Sequence, residues 1–541
     1  MKWRYSASLL ALAAAGIVGQ PCVASAAEKE IVLAAALPMD TVQQQQKQEA
    51  RAALFAVKQY RFEGNRQLSS EQLGVAVAAF VGESKSTLDL LAVRAAILKA
   101  YSDAGYGLVA VGFPKQIGAD GIVTLRIVEI KPGKVRVTGN AAYSEANIRA
   151  QLSALQDNTL PNQNELSRQL FLANDNPSRN IQMNFSPGSE PGVMDVELAV
   201  RELNPLRYGI TLDSTGNQQT GYYRLGGIIH HSNLWDKSHV AALSFVTSPE
   251  KADQVQQFGL FYQVPLAALG DSVTFNASHS SVNNGLVAGA FDISGRGESV
   301  GAHYQRNLAR DFYNKHVLDA GLDYRAYKNT INFFGLNLGT DVDERPLSLA
   351  YQFTHSDAML EWGAGLGYVS NISGGSRNDN ATYAASRVGA TANWDVLRFN
   401  ANAKLRLSGD WMVSAALDGQ SSNKSLIAGE QYGIGGLRSV RGYEEREITG
   451  DSGERIGVEV SSPRIAEAHR FVAFVDNATM RRNNPQIGEL PSKTITGYGV
   501  GWRMSLNNGL NVNVDVAMAA NNGLTTKRDQ ASTHLSAVWW F

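Results

Sequence analysis

The sequence is almost without cysteine. Its 541 residues contain a single one, Cys22, and that residue lies in a segment with the features of a removable secretion signal. A mature chain without thiols excludes disulfides, thiolate metal ligands and cysteine nucleophiles. Proline is also sparse, at 15 residues against 51 glycines. That balance, with 9% aromatic residues, favours many strands joined by tight turns.

The sequence also has no excess of positive or negative charge. Lys and Arg number 49 against 50 Asp and Glu, for a formal charge of -1, and there is no polybasic tail. The chain therefore offers no electrostatic basis for a nucleic-acid partner. Beyond the first 26 residues no apolar run approaches the length of about 18 residues that a membrane-spanning helix needs. If the protein enters a membrane, we expect it to do so as a β-barrel.

Residues 1–26 predict a signal peptide. Lys2 and Arg4 supply the charged start, an apolar run covers Leu9 to Val18, and Ala24-Ser25-Ala26 forms a small-residue cleavage site. Residues 27–57 then form a polar leader, within which residues 49–54 favour a short helix. The leader fits either a flexible linker or a helical plug.

Two similar units of small α+β type follow, at residues 58–131 and 132–204. Each shows the order β-α-α-β-β, from the switch between helical and period-two spacing of apolar residues. In the first unit the predicted helices are 70–80 and 86–104 and the later strands 107–113 and 122–130. In the second they are helices 144–155 and 163–173 and strands 180–185 and 193–200. A small sheet with a free edge is suited to binding another strand, so the units favour an interaction scaffold over an enzyme.

From residue 205 to 541 the pattern becomes period two. Leu322 and Tyr324 alternate with Asp323 and Arg325, for example, as in a wall with lipid on one side and water on the other. A soluble sandwich also alternates, but loop lengths distinguish the two. Connections after even-numbered strands are short. Those after most odd-numbered strands are long, including 281–299, 328–346, 370–384, 420–454 and 478–494. The prediction is a transmembrane antiparallel β-barrel of sixteen strands, with residues 385–407 as one bent strand.

The last strand carries Leu535, Ala537, Trp539 and Phe541 on one face and ends on an aromatic residue. Trp539 and Phe541 resemble the signal by which barrel-assembly machinery recognises its clients. This machinery is an expected partner during biogenesis, and outer-membrane lipids are expected around the barrel.

The longest loop, 420–454, holds the most informative motif. Gly435 and Gly436 permit close backbone approach, and a loop of this length can fold back into the lumen. The motif continues to Val440-Arg441-Gly442-Tyr443. A buried arginine needs an acceptor, and alternation on the strand around 474 turns Phe474 and Asp476 inward. Two unrelated solvated charges are the alternative.

The V-R-G-Y at 440–443, together with F-x-D at 474–476, resembles the two-partner secretion transporters of TpsB type, the haemolysin secretion/activation proteins. Their superfamily includes the assembly factor BamA. The resemblance implies two POTRA domains, a sixteen-strand barrel, an Arg441 lid tip paired with Asp476, and often a helix in the lumen. The implied function is an outer-membrane pore of a Gram-negative bacterium. Its POTRA domains would capture an unfolded exoprotein of filamentous haemagglutinin or haemolysin type for export.

The alternatives are an outer-membrane barrel assembly factor and a passive porin. An enzyme is not predicted, because no G-x-S-x-G motif or P-loop occurs. No cofactor or metal is expected either, since His230 and His231 point to opposite faces of a strand. The glycines at 363, 365 and 367, and at 497, 499 and 501, are interpreted as faces of strands.

Overall fold

The computed structural model describes residues 55–541, except 115–119, 156–159, 268, 288–290, 334–335 and 338. The predicted signal peptide and the predicted helix at 49–54 lie outside this part. The described residues divide into two compact units, 55–203 and 204–541. No helix in the described ranges is long and apolar enough to cross a membrane.

The first N-terminal domain is a three-stranded sheet covered by two helices. The strand β2 (Gln59–Glu63) pairs in parallel with β5 (Ile122–Glu129), which pairs antiparallel with β4 (Val109–Gly112). Ser69 and Ser86 begin the helices with capping boxes, and Leu73, Val93 and Leu125 are fully buried between helices and sheet. The elements are β1 (Phe55–Val57), β2 (Gln59–Glu63), α1 (Ser70–Val77), β3 (Gly82–Lys85), α2 (Thr87–Asp103), β4 (Val109–Gly112) and β5 (Ile122–Glu129).

The leader was predicted to extend to residue 57, and this boundary is wrong. Residues 55–57 form β1, which pairs with β3, so they belong to the first domain. The short β1–β3 pair was not predicted, because three or four residues are too few to show a period. The predicted helix 70–80 ends as an α-helix at Val77 and continues as a 3-10 turn.

The second domain repeats this plan. The strand β6 (Lys131–Thr138) pairs in parallel with β8 (Val193–Glu202), and β7 (Arg179–Pro187) pairs antiparallel with β8. Lys131 already belongs to this sheet, one residue before the predicted boundary. The predicted helix 144–155 is divided into α3 and a 3-10 turn at Ser153–Leu155. The elements are β6 (Lys131–Thr138), α3 (Glu145–Ala150), α4 (Gln163–Ala173), β7 (Arg179–Pro187) and β8 (Val193–Glu202).

The remaining residues form a closed antiparallel barrel of 16 strands, which confirms the predicted fold class. The last strand pairs with the first to close it. The sixteen are β9 (Leu206–Asp213), β10 (Arg224–Leu234), β11 (His239–Thr247), β12 (Val255–Leu266), β13 (Asp271–Val287), β14 (Phe291–Arg310), β15 (Asn314–Phe333), β18 (Pro346–Ser356), β19 (Leu360–Asn371), β20 (Asp395–Arg406), β21 (Met412–Ser421), β24 (Ser452–Ser461), β25 (His469–Arg481), β26 (Ser492–Ser505), β27 (Leu510–Ala519) and β28 (Ala531–Trp540). Short segments between them are β16 (Leu336–Asn337), β17 (Val342–Glu344), β22 (Tyr432–Ile434), β23 (Ile448–Gly450) and helix α5 (Asn380–Ser386).

The barrel wall is apolar outside and polar inside. On β15, Leu322 is 52% exposed on the outer face, whereas Asp323 and Arg325 are 4% and 1% exposed on the inner face. This inverts the burial of a soluble sandwich, where the apolar face is the hidden one. An outward apolar band with inward polar residues is the arrangement of a membrane barrel.

Four predicted loops are shorter than expected. The loop 478–494 is reduced to 482–491 by the ends of β25 and β26. Strands β13 and β14 stay paired from Ser272 out to Val287, through most of the predicted loop 281–299, and β15 continues to Phe333 into the predicted loop 328–346. The Ser, Asn and Gly residues there are typical of loops, but strands that project beyond the membrane need no apolar face. The predicted lid loop 420–454 is reduced to 422–451 by the ends of β21 and β24.

The predicted bent strand 385–407 is also wrong in its first half. Residues up to Ser386 belong to α5, whose N-cap is Asp379, and the strand begins at Asp395. The alternating Ala390, Ala392 and Trp394 between them are buried in a cluster with Tyr383. Period-two spacing there reflects packing of an external loop and not a strand.

Candidate functional site in the barrel lumen

The loop from 422 to 451, called the lid loop here, turns sharply at two glycines. Gly435 and Gly436 have φ angles of 107° and 95°, in the region that favours glycine. The Gly436 amide donates to the Val440 carbonyl over 3.1 Å, and the Ser439 amide donates to the Gly436 carbonyl over 3.1 Å. A Cβ atom on Gly436 would overlap the Glu445 carboxylate. The two glycines thus allow the tight turn that leads into residues 440–443.

Arg441, at the tip of the lid loop, binds Asp476 on β25. Its Nε donates to Asp476 Oδ2 over 2.7 Å and its Nη2 to Oδ1 over 3.0 Å, a bidentate pair. The Arg441 amide also donates to Asp476 Oδ2 over 3.2 Å. The guanidinium carbon lies 3.3 Å from the centre of the Phe474 ring, a cation–π contact. The two side chains are 12% and 4% exposed, so solvent screens the pair only weakly.

The pair belongs to a larger charge network. Arg441 Nη1 lies 3.0 Å from Glu459 and 3.4 Å from Asp515. Arg503 contacts the same two carboxylates, at 2.9 Å and 2.6 Å. Three carboxylates thus share two guanidinium groups. Sequence reasoning missed Glu459, Arg503 and Asp515: the alternation of β27 placed Asp515 inward but could not distinguish it from other inward polar residues.

The residues that flank Arg441 attach the tip to the last strands. The Gly442 amide donates to His534 Nε2 over 2.9 Å. The Tyr443 hydroxyl lies 2.9 Å from the Thr496 carbonyl and 2.6 Å from the Asn521 side-chain oxygen. Val440 is fully buried in an apolar cluster with Ile434, Ile448, Ala478, Met480, Ile495 and Ala519. The whole V-R-G-Y motif is therefore seated on strands β24–β28 and the loop after β27.

A row of glycines on one face of β26 leaves space for the tip of the lid loop. A Cβ atom on Gly497 would overlap the Arg441 carbonyl, and one on Gly501 would overlap the Asp515 carboxylate. One on Gly499 would lie 2.7 Å from the Phe474 ring. The sequence identified these glycines as one face of a strand. It did not show that this face lies beneath the lid tip, because that depends on the register of five strands.

A second set of ion pairs anchors the first part of the lid loop. Glu430 is bound by Arg325 of β15 and by Arg398 of β20, the latter at 2.8 Å. Burial alone would raise the pKa of Glu430, but the two arginines hold it below its usual range. Asp451, at the end of the loop, accepts from Arg387 over 3.1 Å and from the Leu426 amide over 2.8 Å. The loop is therefore attached to both sides of the lumen.

The predicted C-terminal residues lie outside the lumen. The rings of Trp539 and Phe541 are 4.9 Å apart on the outer face, and Phe541 stacks 6.0 Å from Tyr208 of the first strand. Backbone hydrogen bonds of 2.9 Å and 3.0 Å join Tyr208 and Phe541. Among the residues described here, no cluster of His, Cys, Asp and Glu has the geometry to hold a metal ion.

A barrel with a polar lumen, an inward-folded loop seated on its wall and two small α+β domains before it defines an outer-membrane secretion barrel with periplasmic domains. Residues 192–504 match the family described as haemolysin secretion/activation protein ShlB/FhaC/HecB, and residues 55–129 match the POTRA domain of ShlB type. The chain belongs to this family, the TpsB transporters, and is a two-partner secretion pore of the outer membrane with its POTRA domains in the periplasm.

Curated relatives are similar to the chain in sequence, and solved structures are similar to it in fold. The outer membrane transporter CdiB of Dickeya dadantii is 22% identical over 422 residues, which cover 74% of this chain and 71% of the relative. The heme/hemopexin transporter protein HuxB of Haemophilus influenzae is 19% identical over 504 residues, 91% of this chain and 87% of the relative. The structure of CdiB from Escherichia coli matches with a TM-score of 0.75 at 16% identity and covers 92% of this chain and 98% of that one. BamA from Haemophilus ducreyi lacking POTRA domains 1–3 matches at 0.51, with 14% identity, 90% of this chain and all of the other.

Proposed function

We propose that the chain exports one large exoprotein of filamentous haemagglutinin or haemolysin type, and that the lid loop gates the pore. In this proposal the Arg441 contacts keep the loop in the lumen until the exoprotein arrives. The observation that carries it is the bidentate Arg441–Asp476 pair, which holds a loop of some thirty residues, 422–451, against the inner wall. Export then depends on this contact, which seats the loop before the exoprotein arrives and is released as the exoprotein passes.

The POTRA domains are proposed to capture the exoprotein before it folds. Their sheets have free edges at β4 and β7, because the strand orders are β2-β5-β4 and β6-β8-β7. On β7 the side chains of Asn180, Gln182 and Asn184 are exposed. An extended polypeptide can add to such an edge through main-chain hydrogen bonds, with little demand on its sequence. Folding of the exoprotein outside the cell would then draw it through the pore, since the sequence contains no P-loop.

The proposal is tested by comparing secreted and surface proteins of wild type, a deletion strain, and the deletion complemented with Arg441→Ala. One large protein should disappear in the deletion and stay absent with Arg441→Ala. The matched control is Arg438→Ala, because Arg438 is in the same turn but its side chain is 47% exposed. Among the described side chains it has one ion-pair contact, 3.8 Å from Asp213. Normal secretion by Arg441→Ala at wild-type surface abundance would refute the gating role.

The same strains test the two alternatives from the sequence, through the abundance of other outer-membrane barrels and the uptake of small solutes. If no exoprotein disappears and many other barrels become depleted from the outer membrane, the chain acts as a barrel assembly factor. The fold shared with BamA motivates that outcome. If the deletion changes only the uptake of small solutes, a passive porin explains the barrel.

A further inference from the structure

The outer wall of the barrel contains a groove between β9 and β15. Its volume is about 830 Å³, and its lining is almost entirely apolar. The side chains that form it include Ile229, Leu243, Phe258, Leu260 and Val300, each 45–53% exposed on the outer face. These residues are directed away from the lumen, so the groove opens toward the membrane and not toward the path of the exoprotein.

Small residues form the floor of the groove. Gly227 lies on the outer face between the exposed Leu225 and Ile229, and a Cβ atom added there would meet no heavy atom within 4 Å. Ala277 contributes a single methyl group to the lining. Larger residues around these two leave a depression in a surface that contacts lipid. In a membrane, such a depression is filled by hydrocarbon.

Charged side chains lie at one end of the groove. His279 and Glu298 line it, 3.5 Å apart, and Lys328 lies 3.6 Å from the same Glu298 carboxylate. Arg296 pairs across the strands with Lys328 and is exposed. It has no ion-pair partner among the side chains that the structure describes. With His279 neutral, the cluster carries one net positive charge.

The charged end lies toward the outer leaflet. β9 begins directly after the second POTRA domain, so β14 runs from an external loop at Phe291 to a periplasmic turn at Arg310. From Leu308 to Glu298 the strand spans roughly 24 Å of membrane depth at about 3.4 Å per residue and a tilt near 45°. This depth is close to the height of about 25 Å that is typical of the apolar band of a membrane barrel. The charged side chains therefore lie at the external interface of the membrane.

We propose that this groove binds one phosphorylated glycolipid of the outer leaflet. Part of its acyl region occupies the apolar groove, and its phosphate binds Arg296 and Lys328. Arginine suits a phosphate because its planar fork donates two parallel hydrogen bonds, and lysine adds a point charge. The Glu298 carboxylate opposes the anion, but it also orients Lys328 and His279 beside the groove. Basic pockets that adjoin an apolar surface are typical of lipid headgroup sites.

The test uses the full chain reconstituted in phosphatidylethanolamine nanodiscs with and without purified lipid A. After transfer to detergent, native mass spectrometry counts the lipid A molecules that stay bound. Wild type should retain one. Arg296→Ala/Lys328→Ala should retain at least about tenfold less, a difference of about 1.4 kcal/mol. Gly227→Leu should also lose the lipid, because it adds a bulky side chain to the floor at a position where a Cβ atom meets no heavy atom within 4 Å.

The control is Arg481→Ala, which removes an external arginine whose two terminal nitrogens both bind Glu454 at 2.6 Å. It should retain lipid A as wild type does. Heat-modifiable mobility on gels confirms that each variant is a folded barrel. Equal retention by wild type and both groove variants overturns the proposal. So does equal retention of cardiolipin in place of lipid A, or a dimer crosslinked through the groove.

Discussion

Arg441 and Gly497 interlock on the inner wall of the barrel: the carbonyl of the lid-loop arginine occupies the space that a side chain on Gly497 would need. Neither residue reveals this alone, because they are far apart in the sequence. Because of this contact, the row of glycines on β26 is part of the proposed gate.

Gly497→Ala should displace the lid tip while the barrel still assembles. The added methyl group overlaps the Arg441 backbone, and such overpacking typically costs about 1–3 kcal/mol. We expect higher conductance in planar bilayers and weaker secretion. Gly227→Ala is the matched control, since its methyl group enters open space on the outer wall. Identical conductance of the two variants would show that the tip does not depend on this contact.

Arg441 and Asp476 should be energetically coupled. Removing either partner of a shielded ion pair costs about 3–5 kcal/mol, mainly because a charge is left alone. The double variant Arg441→Ala/Asp476→Ala should therefore disturb the lid less than the sum of the two single changes. The frequency of lid opening in single-channel recordings measures the effect of each single variant and of the double variant. Strict additivity would mean that Glu459 and Asp515, and not Asp476, hold the arginine.

Much of the architecture follows from local patterns. Capping serines, helical spacing and the alternation of Leu322 with Asp323 depend on neighbouring residues, so the sequence predicted two α+β units and a sixteen-strand barrel. The errors occurred where a local pattern had another cause. Ala390 and Ala392 alternate because they pack in a loop core. The run Ser280-Ser281-Val282-Asn283-Asn284-Gly285 is typical of a loop, although it continues β13.

The candidate site could be predicted only in part. Alternation turned Phe474 and Asp476 inward, and the resemblance paired Asp476 with Arg441. The roles of Glu459, Arg503 and His534 depend on the register of strands distant in sequence, which no local pattern encodes. The sequence cannot distinguish one inward-facing carboxylate from another, because only the register of the strands shows which of them contact Arg441.

Glu445 should make the lid loop sensitive to pH. Its Oε2 is shielded and has no hydrogen-bond partner among the described residues, and burial raises its pKa to about 7. Because the folded pKa lies above the unfolded value, protonation favours the seated loop. This contribution is fully present below about pH 4.3 and is lost as pH rises through 7.

We therefore expect bilayer conductance to rise between about pH 4.3 and pH 7 as the lid loosens, and to level off above pH 7. Glu445→Gln should abolish that rise. Glu444→Gln is the control, because the neighbouring side chain is exposed. If Glu445→Gln shows the same pH response as wild type, the titrating group is another residue.

Phe541 should be needed for assembly and not for transport itself. Its ring stacks on Tyr208, and its backbone closes the seam between the last and first strands. Phe541→Ala keeps the backbone bonds but removes the aromatic end of the outward face. We expect less folded barrel in the outer membrane, measured by heat-modifiable mobility, with normal secretion per folded molecule. Phe312→Ala, another aromatic that is 61% exposed but lies at the turn between β14 and β15, should assemble normally. Equal abundance of the two variants would remove the C-terminal residue from the assembly signal.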